Sequence, residues 1–288
     1  MTAISRRPLN FMKQIIIALT LSAASAIAAS GELKTQAKKI LETNQDAIVW
    51  LSVIVKQEIT PEGDAASKIP AGAFGGAKDQ KTETTGTIVD ASGLIVASLG
   101  NISGAGMYDG QEIDTPMGSI KLKTKTEIKE VKVIMPDGTE IPADLVMKDA
   151  DVDLAFFKVR ADSPEAKDIT FKAINLSDSA SVGVLDDVVV LGRSGAELNR
   201  QPQAYTTEVL GIVRKPREFI SVQTLHTGIP VFTPDGKVVG ISIIRKPPGS
   251  ISMGSGAVSI QPAVLPARDV LKVATQAKES KAAEKKPE

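Results

Sequence analysis

The sequence predicts an all-β protein made of two small barrels and a C-terminal helix. Short runs of β-branched and alternating apolar residues recur along the chain, and turn-forming residues such as Pro-Asp-Gly separate them. Two strand-rich halves of similar length are joined near residues 161–175. Aromatic residues make up only 3% of the 288 residues, so the core of each half must be aliphatic.

The expected elements follow the chain in order. Residues 33–44 have the spacing of an amphipathic helix, within an N-terminal helical segment at 29–45. Gly and Pro are frequent at 61–82 and 103–119, which predicts two long loops. The predicted strands are 47–55, 85–89, 94–97, 130–135, 140–146, 153–159, 187–191, 204–213, 219–223, 230–232, 238–244 and 257–260.

The strands divide into a first barrel at 46–160 and a second at 176–275. A closing helix is expected over residues 262–277, and residues 276–288 form a charged tail. The run at 121–129 alternates Lys with other residues. This pattern is typical of a solvated strand face, and a surface for an acidic partner is the alternative.

Residues 1–28 have the pattern of a signal peptide. Basic residues precede an apolar run at 15–28, which ends in the A-x-A pattern Ala26-Ile27-Ala28. The run is short for a membrane span, so an uncleaved anchor is the weaker alternative. Either Met1 or Met12 starts a complete signal. We therefore expect a bacterial periplasmic or secreted protein with no membrane span after cleavage.

Composition excludes several classes of function. Lys plus Arg and Asp plus Glu both number 34, and this balance argues against a nucleic-acid-binding protein. The chain has no Cys, which excludes thiolate metal sites and a Cys nucleophile. Its single His, His226, excludes a His-rich metal site. We expect neither a metal nor a cofactor.

Motifs rich in Gly, Asp and Pro follow one another in a fixed order along the chain. They lie at residues 86–97 (a G-x-x-I-D-x-x-G hairpin), 135–146 (Pro-Asp-Gly), 149–155 (Asp-Leu-Ala), 176–192 (Leu-Ser-Asp-Ser, then a strand ending in Gly), 208–213 and 228–242. This series resembles the trypsin-like domain of the HtrA/Deg serine proteases. The resemblance covers residues 46–275 and implies a chymotrypsin-type double β-barrel, without the PDZ domain that many members append.

The resemblance implies three catalytic positions, and two carry residues that cannot perform the family's chemistry. A triad protease needs a nucleophilic hydroxyl, a His that takes its proton and an Asp that orients the His. The matching positions are Thr227, Gly100 and Asp153, so only the Asp is retained. Asp153 also has a purely structural interpretation, as the cap of its turn. His226 is adjacent to Thr227, but neighbouring side chains point apart, so we expect it in a surface loop.

The stretch around the nucleophile position is altered as well. Leu225 and Ile229 stand where the family's motif has glycines, so the oxyanion-hole turn is not expected to form. These changes favour a protease homologue that does not cleave and that binds unfolded protein or peptide segments, or serves as a scaffold. The alternatives are an active serine-type endopeptidase with a non-standard site that uses His226, and an assembly role through residues 61–82 and 103–129. Family members form trimers, so a homo-oligomer is a candidate state.

Overall fold

The computed structural model describes residues 31–70, 73, 76–103, 109–110, 112–115, 118–245 and 261–280. These residues form two closed β-barrels and a C-terminal helix, which confirms the predicted fold class. The predicted signal peptide, the predicted strand at 257–260 and the end of the charged tail lie outside the described residues.

The first barrel is a sheet in the order β1-β2-β3-β7-β6-β5-β4, which closes because β1 also pairs with β5. A helix at residues 31–44, α1, precedes it. The elements of the first barrel are β1 (Ile48–Glu62), β2 (Lys78–Asp90), β3 (Leu94–Ser98), α2 (Leu99–Ile102), β4 (Glu112–Thr115), β5 (Gly118–Ile134), β6 (Glu140–Asp149) and β7 (Leu154–Val159). The interior is aliphatic apart from Phe156 and Phe157, which are fully buried.

The second barrel closes in the order β10-β13-β12-β11-β8-β9. Its elements are β8 (Asp187–Arg193), β9 (Pro202–Val213), β10 (Phe219–Val222), β11 (Pro230–Phe232), β12 (Val238–Arg245), β13 (Gln261–Pro266) and α3 (Ala267–Glu279). The predicted helix at 262–277 was wrong at its start, because Pro262 to Pro266 pair with β12 and bury Val264 and Leu265. The predicted tail was wrong at its start too, since α3 continues to Glu279.

The predicted long loops are partly strands. β1 and β5 continue beyond the barrel as a two-stranded ribbon, paired from the barrel out to Glu62 and Lys121. A small cluster of Ala65, Ile120 and Leu122 is buried at its end. Lysines of β5 lie on an exposed face and stand opposite acidic residues of β1, and the Lys123 ammonium is 3.3 Å from the Glu62 carboxylate. These opposite charges on the two neighbouring strands therefore stabilise the exposed face.

Arg193, at the end of β8, joins the two barrels. The residue is only 4% exposed, and burial lowers the pKa of its guanidinium. The guanidinium donates to the carbonyls of Ile48 (2.5 Å), Gln45 (2.7 Å) and Arg200 (2.9 Å). The Trp50 indole N–H donates to the Ser194 carbonyl at 3.0 Å in the same region. A buried cation thus holds the start of β1 against the second barrel.

Replacement of Arg193 by Met should destabilise the protein by about 2–4 kcal/mol, because one buried and two partly buried carbonyls would lose their donor. Urea unfolding followed by circular dichroism measures the change. The matched control is Arg217→Met, at an exposed arginine with no ion pair among the described residues. Equal stability of the two variants would contradict the role of Arg193 at the barrel junction.

Candidate active site

The Asp153 carboxylate lies at the junction of the two barrels. Asp153 immediately precedes β7 in a left-handed conformation (φ 58°) and is 8% exposed. Its Oδ1 accepts the backbone N–H of Gly100 at 2.6 Å. Its Oδ2 accepts the Ser98 hydroxyl at 2.6 Å and the backbone N–H of Ile244 at 2.7 Å. The carboxylate therefore binds the end of β3, the start of α2 and the end of β12 together.

Gly100 lies beside this carboxylate, as the alignment with the triad requires. A Cβ atom added at Gly100 would lie 3.0 Å from Asp153 Oδ1 and 3.3 Å from Ile244 Cδ1. These separations are tighter than ordinary contacts, so a side chain here would displace its neighbours. The backbone N–H of Gly100 satisfies the carboxylate, but it cannot accept a proton from a nucleophile.

Thr227, at the nucleophile position, is 6% exposed in the turn before β11. Its Oγ1 accepts a hydrogen bond from Asn101 Nδ2 at 2.7 Å, and its carbonyl accepts the Thr85 hydroxyl at 2.8 Å. Asn101 Nδ2 also donates to Thr84 Oγ1 at 3.2 Å. The side-chain amide of Asn101 is not a base, so it leaves the Thr227 hydroxyl unactivated.

The structure places two of the three predicted positions in direct contact and links the third to them through α2. Gly100 contacts Asp153 directly, and Asn101, the next residue along α2, contacts Thr227. The sequence analysis missed Asn101 and Ser98. Their one available signal was their position beside Gly100 in the same strand-to-helix segment.

The backbone N–H groups just before Thr227 already donate hydrogen bonds within the protein. The Leu225 N–H donates to the Tyr205 hydroxyl at 2.9 Å, and the His226 N–H donates to Thr224 Oγ1 at 3.2 Å. In a triad protease the oxyanion hole uses the N–H of the nucleophile and of the residue two positions earlier. Leu225 holds that earlier position, and its donor is bound to Tyr205. This geometry supports the expectation of an altered oxyanion turn.

Gly228 follows Thr227 with a positive φ of 78°. A Cβ atom there would lie only 2.7 Å from the Thr85 carbonyl oxygen and 3.2 Å from Ala97 Cα. The turn therefore requires glycine, because a side chain would separate β11 from the first barrel. The Gly228 carbonyl also accepts the Thr87 hydroxyl at 2.7 Å, which fixes the peptide between Gly228 and Ile229 in place.

His226 lies in the loop between β10 and β11 and is half-buried. The ring lies near Gly192 of β8, where an added Cβ would be 3.7 Å from His226 Cδ2. Among the described residues no hydrogen bond joins the imidazole to Asp153 or Thr227. Burial lowers the pKa of His226, and the nearby Glu197 carboxylate opposes this effect. The imidazole is therefore mostly neutral at pH 7, but it is not placed to act as the triad base.

A cavity of about 710 Å³ opens beside Gly100 and Asp153. α2, β5, the end of β6 and the end of β12 supply its walls. Within the described part of the chain, no group of three or more His, Asp or Glu side chains could hold a metal ion. None of the described helices combines the length and hydropathy that a membrane crossing needs.

Because the pKa of His226 is lowered in the folded state, protonation favours the unfolded chain. The contribution of His226 to the free energy of unfolding is present above about pH 6.5, which is the pKa of His in the unfolded chain. It decreases as the pH falls below that value. We expect His226→Gln to reduce the slope of the free energy of unfolding against pH below about pH 6.5, by less than about 1.4 kcal/mol per pH unit. Urea unfolding at pH 7.5 and pH 5.5 (about one unit on each side of the unfolded pKa) measures it. Parallel profiles for the two proteins would contradict the assignment.

Comparisons with known proteins agree with this geometry. Residues 84–241 match the family model described as a trypsin-like peptidase domain. No curated protein matches the sequence. Among solved structures, the apo form of the MamO protease domain from Magnetospirillum magneticum is similar at 16% identity and a TM-score of 0.46, over 80% of this chain and 97% of that one. Since the family model covers more than half of the sequence and the described residues form the double barrel, the chain belongs to the trypsin-like peptidase family.

Proposed function

We propose that the protein is an exported trypsin-like protease homologue that binds protein or peptide segments without cleaving them. The observation that carries this proposal is the hydrogen bond from Asn101 to the Thr227 hydroxyl, beside a Gly100 that has no side chain. The hydroxyl at the nucleophile position contacts an amide donor where an active enzyme would have a proton acceptor.

Two separate requirements of acyl transfer are unmet at this site, a general base and a free oxyanion donor. Gly100 supplies no general base, and Asn101 supplies no base for the Thr227 hydroxyl. The Leu225 N–H donates to Tyr205 and is not available to a developing oxyanion. Loss of triad residues alone lowers kcat by about 10⁴–10⁶. Loss of one oxyanion donor lowers it by about a further 10²–10³. Together these losses would leave no useful rate of proteolysis.

Export is part of the proposal and depends on the signal-peptide pattern of residues 1–28. We place the protein in the bacterial periplasm or outside the cell, where unfolded protein segments are available partners. Binding of this kind uses the cavity beside Asp153, because the cavity combines open space with polar groups and apolar walls.

The activity test is hydrolysis of casein, together with labelling by a serine-directed fluorophosphonate. We expect neither reaction from the protein or from its Thr227→Ala variant. We also expect none from the Gly100→His, Thr227→Ser double variant, because Tyr205 still occupies the Leu225 N–H. Cleavage by the unaltered protein that is lost in Thr227→Ala would contradict the proposal.

Asn101 should act on stability and not on catalysis. Asn101→Ala leaves the hydroxyls of Thr227 and Thr84 without their shared donor, which should cost about 1–3 kcal/mol of unfolding free energy. Urea unfolding measures the loss, and Gln276→Ala, on the exposed side of α3, is the control. An Asn101→Ala protein of unchanged stability that gained casein hydrolysis would show that Asn101 restrains a competent nucleophile.

A further inference from the structure

β5 and β6 pair over only a short part of their lengths. Residues 131–134 of β5 pair with residues 140–143 of β6, and beyond this point the strands diverge. β6 continues along β7 as far as Asp149, and β5 continues along β1 as far as Lys121. β4 pairs with β5 only at residues 118–121. Among the described strands, residues 122–130 of β5 therefore have a ladder partner on one side only.

The backbone groups on the open side of β5 can be assigned from two contacts. The Leu122 carbonyl accepts the Gly110 N–H at 2.8 Å, and the Thr124 N–H donates to Asp109 Oδ1 at 2.8 Å. Neither contact is made with β1. Because the backbone groups of a strand alternate between its two sides, the N–H and C=O of Thr126 also point to the open side. This edge can accept a further strand.

The cavity of about 710 Å³ lies in the space where β5 and β6 diverge. Thr124 and Thr126 of β5 line it, and their Oγ1 atoms are buried with no hydrogen-bond partner among the described residues. A buried hydroxyl without a partner is costly, so polar groups of a bound molecule would be stabilising here. Ile128 of β5 and Leu99 of α2 add apolar wall.

The charges at the cavity favour an acidic group. Lys148, at the end of β6, is exposed and makes no ion pair among the described residues. Arg245 donates to the Asp151 carbonyl at 2.9 Å and lies 4.2 Å from the centre of the Phe219 ring. It forms no ion pair with any residue that the structure describes. The two acidic lining residues, Asp109 and Asp153, both accept backbone N–H groups that compensate their charge.

From these contacts we infer that an extended peptide segment with an acidic side chain adds to the open edge of β5 at Thr126. Its backbone pairs with Thr126, and its polar groups reach the hydroxyls of Thr124 and Thr126. Its carboxylate lies at Lys148 and Arg245. Addition of a strand to a sheet edge takes its affinity from main-chain hydrogen bonds and its specificity from side-chain pockets. The inference rests on the proposed function and identifies the segment that the protein binds.

The binding test uses the acetylated, amidated hexapeptide Thr-Val-Glu-Val-Thr-Val, and matched peptides with Gln or Lys in place of Glu. Calorimetry measures affinity, and NMR hydrogen exchange follows the Thr126 amide. We expect the Glu peptide to bind about tenfold more tightly than the Gln peptide and to slow exchange at Thr126. Two further Glu peptides carry N-methyl groups, one at its odd-numbered residues and the other at its even-numbered residues. Only one of the two should lose binding, because only one of these sets of N–H groups faces β5.

Two variants test where the peptide binds. Lys148→Glu should weaken the Glu peptide about tenfold and strengthen the Lys peptide, while Lys167→Glu, at an exposed lysine outside the cavity, should change neither. Thr126→Val should weaken binding about threefold to tenfold with no loss of thermal stability, because its hydroxyl has no partner in the free protein.

The outcomes separate this inference from the proposed function. Peptide binding that is indifferent to Lys148 and Thr126 would overturn the site and leave non-cleaving binding intact. Protection of the Thr126 amide in the free protein, or no binding of any peptide at about 1 mM, would also overturn the site. Cleavage of a bound peptide would overturn the proposed function, while slowed exchange at Thr126 would still support the location.

Discussion

The junction of the two barrels depends on one buried carboxylate. Asp153 accepts the Gly100 N–H and the Ser98 hydroxyl from the first barrel and the Ile244 N–H from the second. A buried carboxylate is tolerated only when donors replace its hydration, and hydrogen bonds to an ionised group are stronger than neutral ones. The same residue would orient a catalytic His in an active protease, but here the carboxylate accepts two backbone N–H groups and one hydroxyl. Retention of Asp153 therefore needs no catalytic explanation.

A second group of polar residues joins the first barrel to the turn before β11. Asn101 bridges Thr227 and Thr84, and the hydroxyls of Thr85 and Thr87 bind the carbonyls of Thr227 and Gly228. Three of these bonds join β2 or α2 to the turn before β11, and the bond from Asn101 to Thr84 lies within the first barrel. The turn that contains Thr227 is therefore a buried structural contact between the barrels.

Sequence patterns predicted the barrel strands well, because β-branched runs between Gly and Pro turns depend on local chemistry. They failed where strands are charged or contain proline. The β1–β5 ribbon is stabilised by cross-strand pairs such as Lys123 with Glu62, and β13 is a strand because Val264 and Leu265 are buried against β12. Gly100, Asp153 and Thr227 could be aligned by motif. The contacts of Tyr205 and Asn101 could not, because they join positions 20 and 126 residues apart in the chain.

The open edge of β5 has its origin in the same ribbon. Because residues 121–130 of β5 follow β1 outward, β5 pairs with β6 only from residue 131 onward. No described strand fills the space between them. Gly100 and Asp153 line the cavity that opens there. Gly100 and the ribbon thus act on the same region of the junction. Gly100 leaves the Asp153 carboxylate bound to a backbone N–H, and the ribbon carries β5 away from β6.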